Sequence, residues 1–359
     1  MTEIWRGRSV LVTGNTGFKG VWLSLWLQRL GAKVSGIALP PTGNPNLYAL
    51  AGSWDGQDHS IVDLRDRDAV KESVRRIEPQ VVFHLAAQAL VRVSYREPVE
   101  TYATNLMGSI HLLDAIRAQS SVEAVIVVTT DKVYENDSKS GPFIEGDRLC
   151  GKDPYSNSKA CVELAVQSFR DGYFADESGP AVATVRAGNV VGGGDWSEDR
   201  LVPDVVRALS AGRSVSLRYP DSVRPWQHVL EPLRGYLMLA EKVLTNREAA
   251  PTAVNFGPDP ESFLTVAQVV DILAQAFGSA VRWERASGPH PPEATTLTLD
   301  SSLAKRSLGW VPRLSMKDTI DWTADWYRGW KYGVDLRRLT LDQIARYETL
   351  CQEERPVCL

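Results

Sequence analysis

One short segment limits what this chain can become. The apolar run Ser9-Val10-Leu11-Val12-Thr13 passes directly into Gly14-Asn15-Thr16-Gly17-Phe18-Lys19-Gly20, and that into an apolar helical stretch from Val21 to Leu27. A strand, a glycine-punctuated turn and a helix in immediate succession form a cradle. Glycines allow a tight turn and close approach of backbone N–H groups to a pyrophosphate, and the helix N-terminus adds the positive end of its dipole. Glycines at G-x-x-G-x-x-G spacing could by themselves be only a turn; the flanking strand and helix favour dinucleotide binding. Every residue from Gly14 through Gly20 is therefore a candidate cofactor contact.

The rest of the first half repeats this theme. Lys33–Ala38, Val81–Ala86, Ala124–Thr130 and Ala181–Arg186 read as further strands, and Val21–Leu30, Asp66–Ile77 and Leu106–Arg117 as amphipathic helices. Such alternation predicts an α/β fold built on a doubly wound parallel sheet. Continuous apolar runs such as Val125-Ile126-Val127-Val128 suit strands covered on both faces. Beyond Ala187 the pattern loosens, with Gly192-Gly193-Gly194 and Pro203, Pro220, Pro225, Pro251, Pro258, Pro260, Pro289, Pro291 and Pro292 breaking up shorter elements. The expected division is residues 1–186 as a dinucleotide-binding domain, joined by a returning segment at about 225–258. Residues 187–224 and 259–335 would form a smaller C-terminal substrate-binding lobe, and 336–359 a polar tail helix of no evident chemical content.

Composition narrows the partners. With 359 residues, 43% hydrophobic, 23% charged and a formal charge of -4, the chain reads as folded and soluble, with no sequence-wide attraction for nucleic acid or acidic lipid. No apolar run approaches the ~20 residues of a membrane helix, and the N-terminus lacks a signal-peptide core, so a cytoplasmic location is expected. Cys150, Cys161, Cys351 and Cys358 form no C-x-x-C pair and have no nearby histidine at ligand spacing, which predicts reduced thiols and no metal.

Two further segments carry chemistry. Asp153-Pro154 looks like an N-cap followed by proline at the first helical position, and Tyr155 and Lys159 then share one face of the helix. An ammonium beside a phenol favours phenolate, moving a group of ordinary pKa about 10 toward useful basicity. Thr129-Thr130-Asp131-Lys132-Val133-Tyr134 follows a buried strand, at the carboxyl end where such sheets bind ligands. The acid expected after the second strand, which would hold a ribose diol, is missing, because Ile37-Ala38-Leu39-Pro40 stands there. Arginine is also absent between Arg29 and Arg65, so NAD is favoured over NADP. Asp63-Leu64 either meets the adenine or is a solvated turn.

These segments, together with Arg186-Ala187-Gly188-Asn189-Val190-Val191-Gly192-Gly193-Gly194-Asp195-Trp196 and Arg224-Pro225-Trp226-Gln227-His228-Val229, resemble the nucleotide-sugar branch of the extended short-chain dehydrogenase/reductases. Within that branch they are most similar to the CDP-glucose 4,6-dehydratases, from Gly14 to about Trp326. The resemblance implies an NAD-dependent lyase of deoxysugar biosynthesis. Tyr155, supported by Lys159 and Thr130, would take the proton of the sugar 4-hydroxyl as hydride leaves carbon 4. Lys132 would remove the carbon-5 proton while Asp131 protonates the departing 6-hydroxyl, and the hydride would return to carbon 6. It also implies cofactor contacts from Leu85, Ala86, Ala87 and Asn105, and substrate contacts from Asn189, Arg200, Arg224 and Asn255, with His228 shaping the pocket and His84 in the core. Helices Glu97–Ala118 and Tyr155–Phe174 would pair across a twofold axis in a homodimer, or as part of a tetramer. Two departures stand out: Asn15 occupies a position where relatives commonly have histidine, and Pro289-His290-Pro291-Pro292-Glu293-Ala294-Thr295 has lost histidines found in them. The alternatives are a 4-epimerase, a dehydratase of another nucleotide hexose, or a dinucleotide-sensing binding protein.

Overall fold

The structure, a computed structural model, describes residues 2–52, 54, 58–136, 141–176, 179–278, 283–287 and 297–353. The stretch from Pro289 to Thr295 and Cys358 lie outside the described residues.

Seven parallel strands make the central sheet: β1 (Ser9–Thr13), β2 (Lys33–Ala38), β3 (His59–Ile61), β4 (Val81–His84), β5 (Ala124–Val128), β6 (Ala181–Ala187) and β7 (Ala253–Phe256), in the order β7-β6-β5-β4-β1-β2-β3. The order reverses between β1 and β4, which pair in parallel from Val10↔Val81 to Thr13↔His84. A crevice therefore opens beyond the carboxyl ends of these two strands. Alternate residues feed opposite layers. Val10, Val12, Val81 and Phe83 pack against helices α1 (Phe18–Arg29) and α5 (Leu230–Thr245). Leu11, Val82, Val125 and Val127 pack against α2 (Arg67–Ile77), α3 (Gly108–Arg117) and α4 (Pro154–Gly172). Each such side chain, taken fully from water, contributes roughly 1.5–3 kcal/mol.

Local chemistry explains the helix ends. Asp66 caps α2 by accepting from Ala69 N, and Asp153 caps α4 by accepting from Ser156 N, with Pro154 at its first position. One expectation needs correction. The stretch Glu97–Ala118 is not one helix: Pro98–Tyr102 runs into a π-helical turn at Ala103–Met107 before α3 begins. A π turn adds a residue to the helical ladder, and here it carries Asn105 into the site. The tail is helical, as expected. As α7 (Leu336–Gln352) it packs on α6 (Met316–Lys331): Trp326 Nε1 donates to Thr340 Oγ1 (3.0 Å), and Tyr347 Oη donates to the buried carboxylate of Glu231 (2.6 Å).

After β6 the chain is held by brief pairings. Val190–Val191 lies parallel to Gln227–His228, Val223–Pro225 antiparallel to Phe263–Thr265, and Val215–Leu217 parallel to Trp283–Arg285.

Candidate active site

The glycine loop is shaped by exclusion. Gly14 has φ +72°, and a Cβ there would lie 2.8 Å from Ala86 Cα; one on Gly20 would lie 2.1 Å from the Gly14 carbonyl oxygen. Gly17 opens α1 without a side-chain cap, so the first-turn N–H groups around Phe18 and Lys19 are available to an outside acceptor. A side-chain-free turn against a helix start fits a dinucleotide pyrophosphate.

A buried hydrogen-bond chain fixes the opposite wall. Ser109 Oγ donates to the Asn105 carbonyl (2.5 Å), so His84 Nε2–H donates to Ser109 Oγ (2.9 Å) and His84 Nδ1 accepts from Thr13 Oγ1 (2.7 Å). Thr13 Oγ1 in turn accepts from the N–H groups of Leu85 and Ala86, both at 3.1 Å, just before Ala87. Burial and the nearby Lys159 charge push His84 down to about 3, which keeps it neutral. Asn105 accepts from Gln88 N (2.8 Å) and donates to Ser158 Oγ (2.9 Å), tying this wall to α4.

At the adenosine end the side chains are more committed than the sequence suggests. Thr16 Oγ1 donates to the Leu39 carbonyl (2.9 Å). Asn15 turns across Gly36, where a Cβ would lie 2.2 Å away, and its amide meets His59 Nδ1 (2.9 Å). Asp63 is the turn residue: it accepts from Arg65 N (2.9 Å) and pairs with the Arg65 guanidinium (2.6 Å), which holds its carboxyl below the usual range. Leu64 is buried, and its carbonyl accepts from His111 Nδ1 (2.8 Å).

The exit of β5 carries the reactive groups. Thr130 caps a 3₁₀ turn over Asp131–Val133, and its Oγ1 donates to Asp131 Oδ1 (3.0 Å). Asp131 Oδ2 is buried and accepts no hydrogen bond from the described residues. It faces Gly188, where a Cβ would lie 3.1 Å from it. Burial raises the Asp131 carboxyl, against the pull of Lys132, Thr130, Arg224 and Lys19. Lys132 beside it is half-buried. From α4, Tyr155 reaches the same crevice and Lys159 Nζ donates to the Val128 carbonyl at the end of β5 (3.0 Å). Against the expectation of a phenol lowered by its lysine, burial holds Tyr155 above its ordinary value; of the groups drawing it down, the largest are Thr130, through a hydrogen bond, and the charge of Arg200. Burial also lowers Lys159 to about 8, with Glu163 opposing. Lys19, half-buried at the start of α1, is likewise lowered to about 8, first by burial and then by Arg200.

The candidate substrate contacts divide. Arg224 is buried close enough to act on Asp131, with Nη1 donating to the Val223 carbonyl (2.9 Å). Arg200 lies 3.9 Å from Asp195, donates to the Ala89 carbonyl (3.4 Å) and acts on Tyr155. Asn189 is half-buried after Gly188, its carbonyl accepting from Gln227 N (3.0 Å). Asn255 is different: fully buried on β7, its Oδ1 accepts from Tyr134 Oη (2.7 Å) and its Nδ2 donates to the Phe143 carbonyl (3.0 Å). His228 is also fully buried, edge-on to Trp22 and Trp322, and pushed down to about 3. Asn255 is a packing residue here, while His228 Nε2 has no hydrogen-bond partner among the described residues. Sequence reasoning missed Glu163 and Arg186, a buried ion pair (2.8 Å) behind the turn; the usable signal was Glu163 standing one helical turn beyond Lys159.

A parallel sheet with a glycine cradle at its switch point and a Tyr/Lys helix facing it defines the short-chain dehydrogenase/reductase class. Within it, the chain belongs to the GDP-mannose 4,6 dehydratase family, whose profile matches residues 11–323. It is 42% identical over 349 residues to the CDP-glucose 4,6-dehydratase of Salmonella typhimurium, covering 96% of this chain and 97% of that protein. The dTDP-glucose 4,6-dehydratase of Xanthomonas campestris is 28% identical over 345 residues, 90% of this chain and 95% of the other. Among solved structures, the Thermus thermophilus UDP-glucose 4-epimerase in complex with NAD superposes with a TM-score of 0.78 at 26% identity, covering 89% of this chain and 99% of that one.

Proposed function

We propose that this chain is an NAD-dependent lyase that converts CDP-glucose to CDP-4-keto-6-deoxyglucose with loss of water. The observation carrying the reading is Asp131, a buried carboxyl with one unpartnered oxygen, next to Lys132 and linked to Tyr155 through Thr130. Similarity over nearly the full length to a CDP-glucose 4,6-dehydratase supports the nucleotide. NAD, when bound, would supply the hydride acceptor for sugar carbon 4 and the hydride source for carbon 6. Gly14 through Gly20, with Leu85, Ala86, Ala87 and Asn105, would hold it. Tyr155 takes the 4-hydroxyl proton, assisted by Thr130 and by the positive charges of Arg200 and Lys159. A ketone at carbon 4 acidifies carbon 5, where Lys132 removes the proton. Asp131, whose carboxyl burial raises, donates to the departing 6-hydroxyl, so the base and the acid of the elimination sit side by side. Arg224, Arg200 and Asn189 are placed to meet the nucleotide diphosphate, arginine offering a rigid fork to phosphate oxygens.

The same reading assigns dinucleotide binding to residues 1–186 with 225–258 and sugar-nucleotide binding to 187–224 with 259–335. It also includes a homodimer in the cytoplasm. Val99 is 77% exposed and Leu164 56% on neighbouring helical segments, an apolar face of the kind that a second copy covers. Among the described residues, no helix is long and apolar enough to cross a membrane. A 4-epimerase would share the fold but would have no use for an acid at the 6-hydroxyl. Incubation with CDP-, dTDP-, GDP- and UDP-hexoses tests the proposal. A 4-keto product, read by its absorbance in alkali, should form fastest from CDP-glucose. No 4-keto product from any of them would overturn it.

A further inference from the structure

Behind the reactive turn lies an ion pair that the proposed chemistry does not use. Glu163 follows Lys159 by four residues on α4, so both project from one face. Its Oε1 accepts from Thr129 Oγ1 and from Arg186 Nε (2.8 Å); its Oε2 accepts from Thr184 Oγ1 (2.7 Å) and Arg186 Nη2 (2.8 Å). Arg186 Nη1 then donates to Tyr134 Oη (2.7 Å) and to the Glu145 carbonyl (3.0 Å). Thr129 immediately precedes the Thr130–Val133 turn and Tyr134 immediately follows it, so one ion pair grips both ends of the turn and fastens it to the helix that carries Tyr155 and Lys159. Both side chains are 4% exposed. A buried pair of this kind is a poor source of net stability, because desolvation offsets its attraction, but its directional bonds can hold two elements in register.

We infer that Glu163 is a positioning residue that locks the Thr130–Lys132 turn against the Tyr155/Lys159 helix and supplies the countercharge of Lys159, an inference that rests on the dehydratase reading above. The charged and titratable groups facing Lys159 are Glu163 and Tyr155 from α4, His84 from β4 and Lys19 from α1. His84 is neutral and Lys19 repels. Among these Glu163 alone opposes the burial that brings Lys159 to about 8. Without its charge Lys159 should lose its proton at lower pH, and Tyr155 with it the cation that favours the phenolate.

The test uses the full chain with Glu163→Gln, Glu163→Asp, and the double variant Glu163→Gln/Arg186→Gln, which leaves no buried charge unpaired if the single Gln variant fails to fold. Two readouts are taken: kcat against pH with CDP-glucose, and the titration of Lys159 in protein carrying carbon-13-labelled lysine, its signal assigned by its loss in Lys159→Met. In Glu163→Gln the Lys159 titration should move down by on the order of one unit, with the alkaline limb of kcat following it, and in the double variant, which also removes the Arg186 cation, by less. Neutral-pH kcat should also fall roughly 10²-fold through loss of register. Glu163→Asp should keep the titration in place while losing kcat, because it retains the charge and shortens the clamp. Gln variants that lose only thermal stability, with both titrations unmoved, would overturn the inference. If the unsubstituted enzyme leaves CDP-glucose untouched, the dehydratase reading falls, and the lysine titration by itself still decides whether Glu163 sets the charge of Lys159.

Discussion

The two halves of this site are held in place by different means. Thr13, Thr130 and the β5-exit turn stand at the ends of long, parallel-paired strands, with hydrogen-bond chains locking them from behind. Arg200 and Arg224, across the crevice, come from a loop and from a three-residue strand, and the side chain of Arg200 is 40% exposed. In the proposed reading, chemistry sits on the rigid half and recognition on the adaptable half. Substitutions in the first should act on turnover, and those in the second on apparent affinity.

The largest break of that division comes from Tyr155→Phe, which should lower kcat by roughly 10²–10⁴-fold with little change in fold or cofactor binding. Circular dichroism and cofactor titration beside steady-state kinetics would check it, and unchanged turnover would remove Tyr155 from the chemistry. Arg200→Ala should raise KM on the order of tenfold, as for one lost charged hydrogen bond of ~1.5 kcal/mol, and lower kcat by less, because its charge also favours the Tyr155 phenolate. A fall in kcat alone would place Arg200 on the rigid side. Asn255→Ala should leave KM alone and reduce stability by about 1–3 kcal/mol, because it removes the acceptor of the buried Tyr134 hydroxyl proton and one of the two donors to the Phe143 carbonyl. Denaturant melts and KM together separate this from a substrate contact.

The smallest effect concerns pH. Burial raises the Asp131 carboxyl, so its contribution to stability is present below the ordinary carboxylate range and is lost as pH climbs through its raised value. Asp131→Asn removes that loss. Thermal melts should therefore show the variant gaining stability over the parent at neutral pH and no gain near pH 3, although product formation fails. Equal stability of the two at neutral pH would contradict a buried, reluctant acid.

The same contrast explains what could be read from the sequence. Strands β1, β2, β4, β5 and β6 are legible because burial on both faces writes continuous apolar runs, and the cradle because its glycines follow such a run. β3 was not: His59-Ser60-Ile61 is a short, partly exposed edge with no run to notice. The Tyr155/Lys159 and Asp131/Lys132 pairs are local in sequence, so their proximity could be inferred. That Asn255 packs in the core is not legible, because its partners, Phe143 and Tyr134, lie far away along the chain. The π turn that re-aims Asn105 has no residue signature that separates it from ordinary helix.

The central claim is that hydrogen moves within one sugar, from carbon 4 to carbon 6, while carbon 5 exchanges with water. CDP-glucose carrying deuterium at carbon 4, turned over in ordinary water and analysed by mass spectrometry and proton NMR, measures it directly. The product should be CDP-4-keto-6-deoxyglucose with the label on carbon 6, and unlabelled substrate turned over in heavy water should take up deuterium at carbon 5. Label returned to carbon 4 with inversion, or released in free NADH, would contradict the account even with every cofactor contact in place.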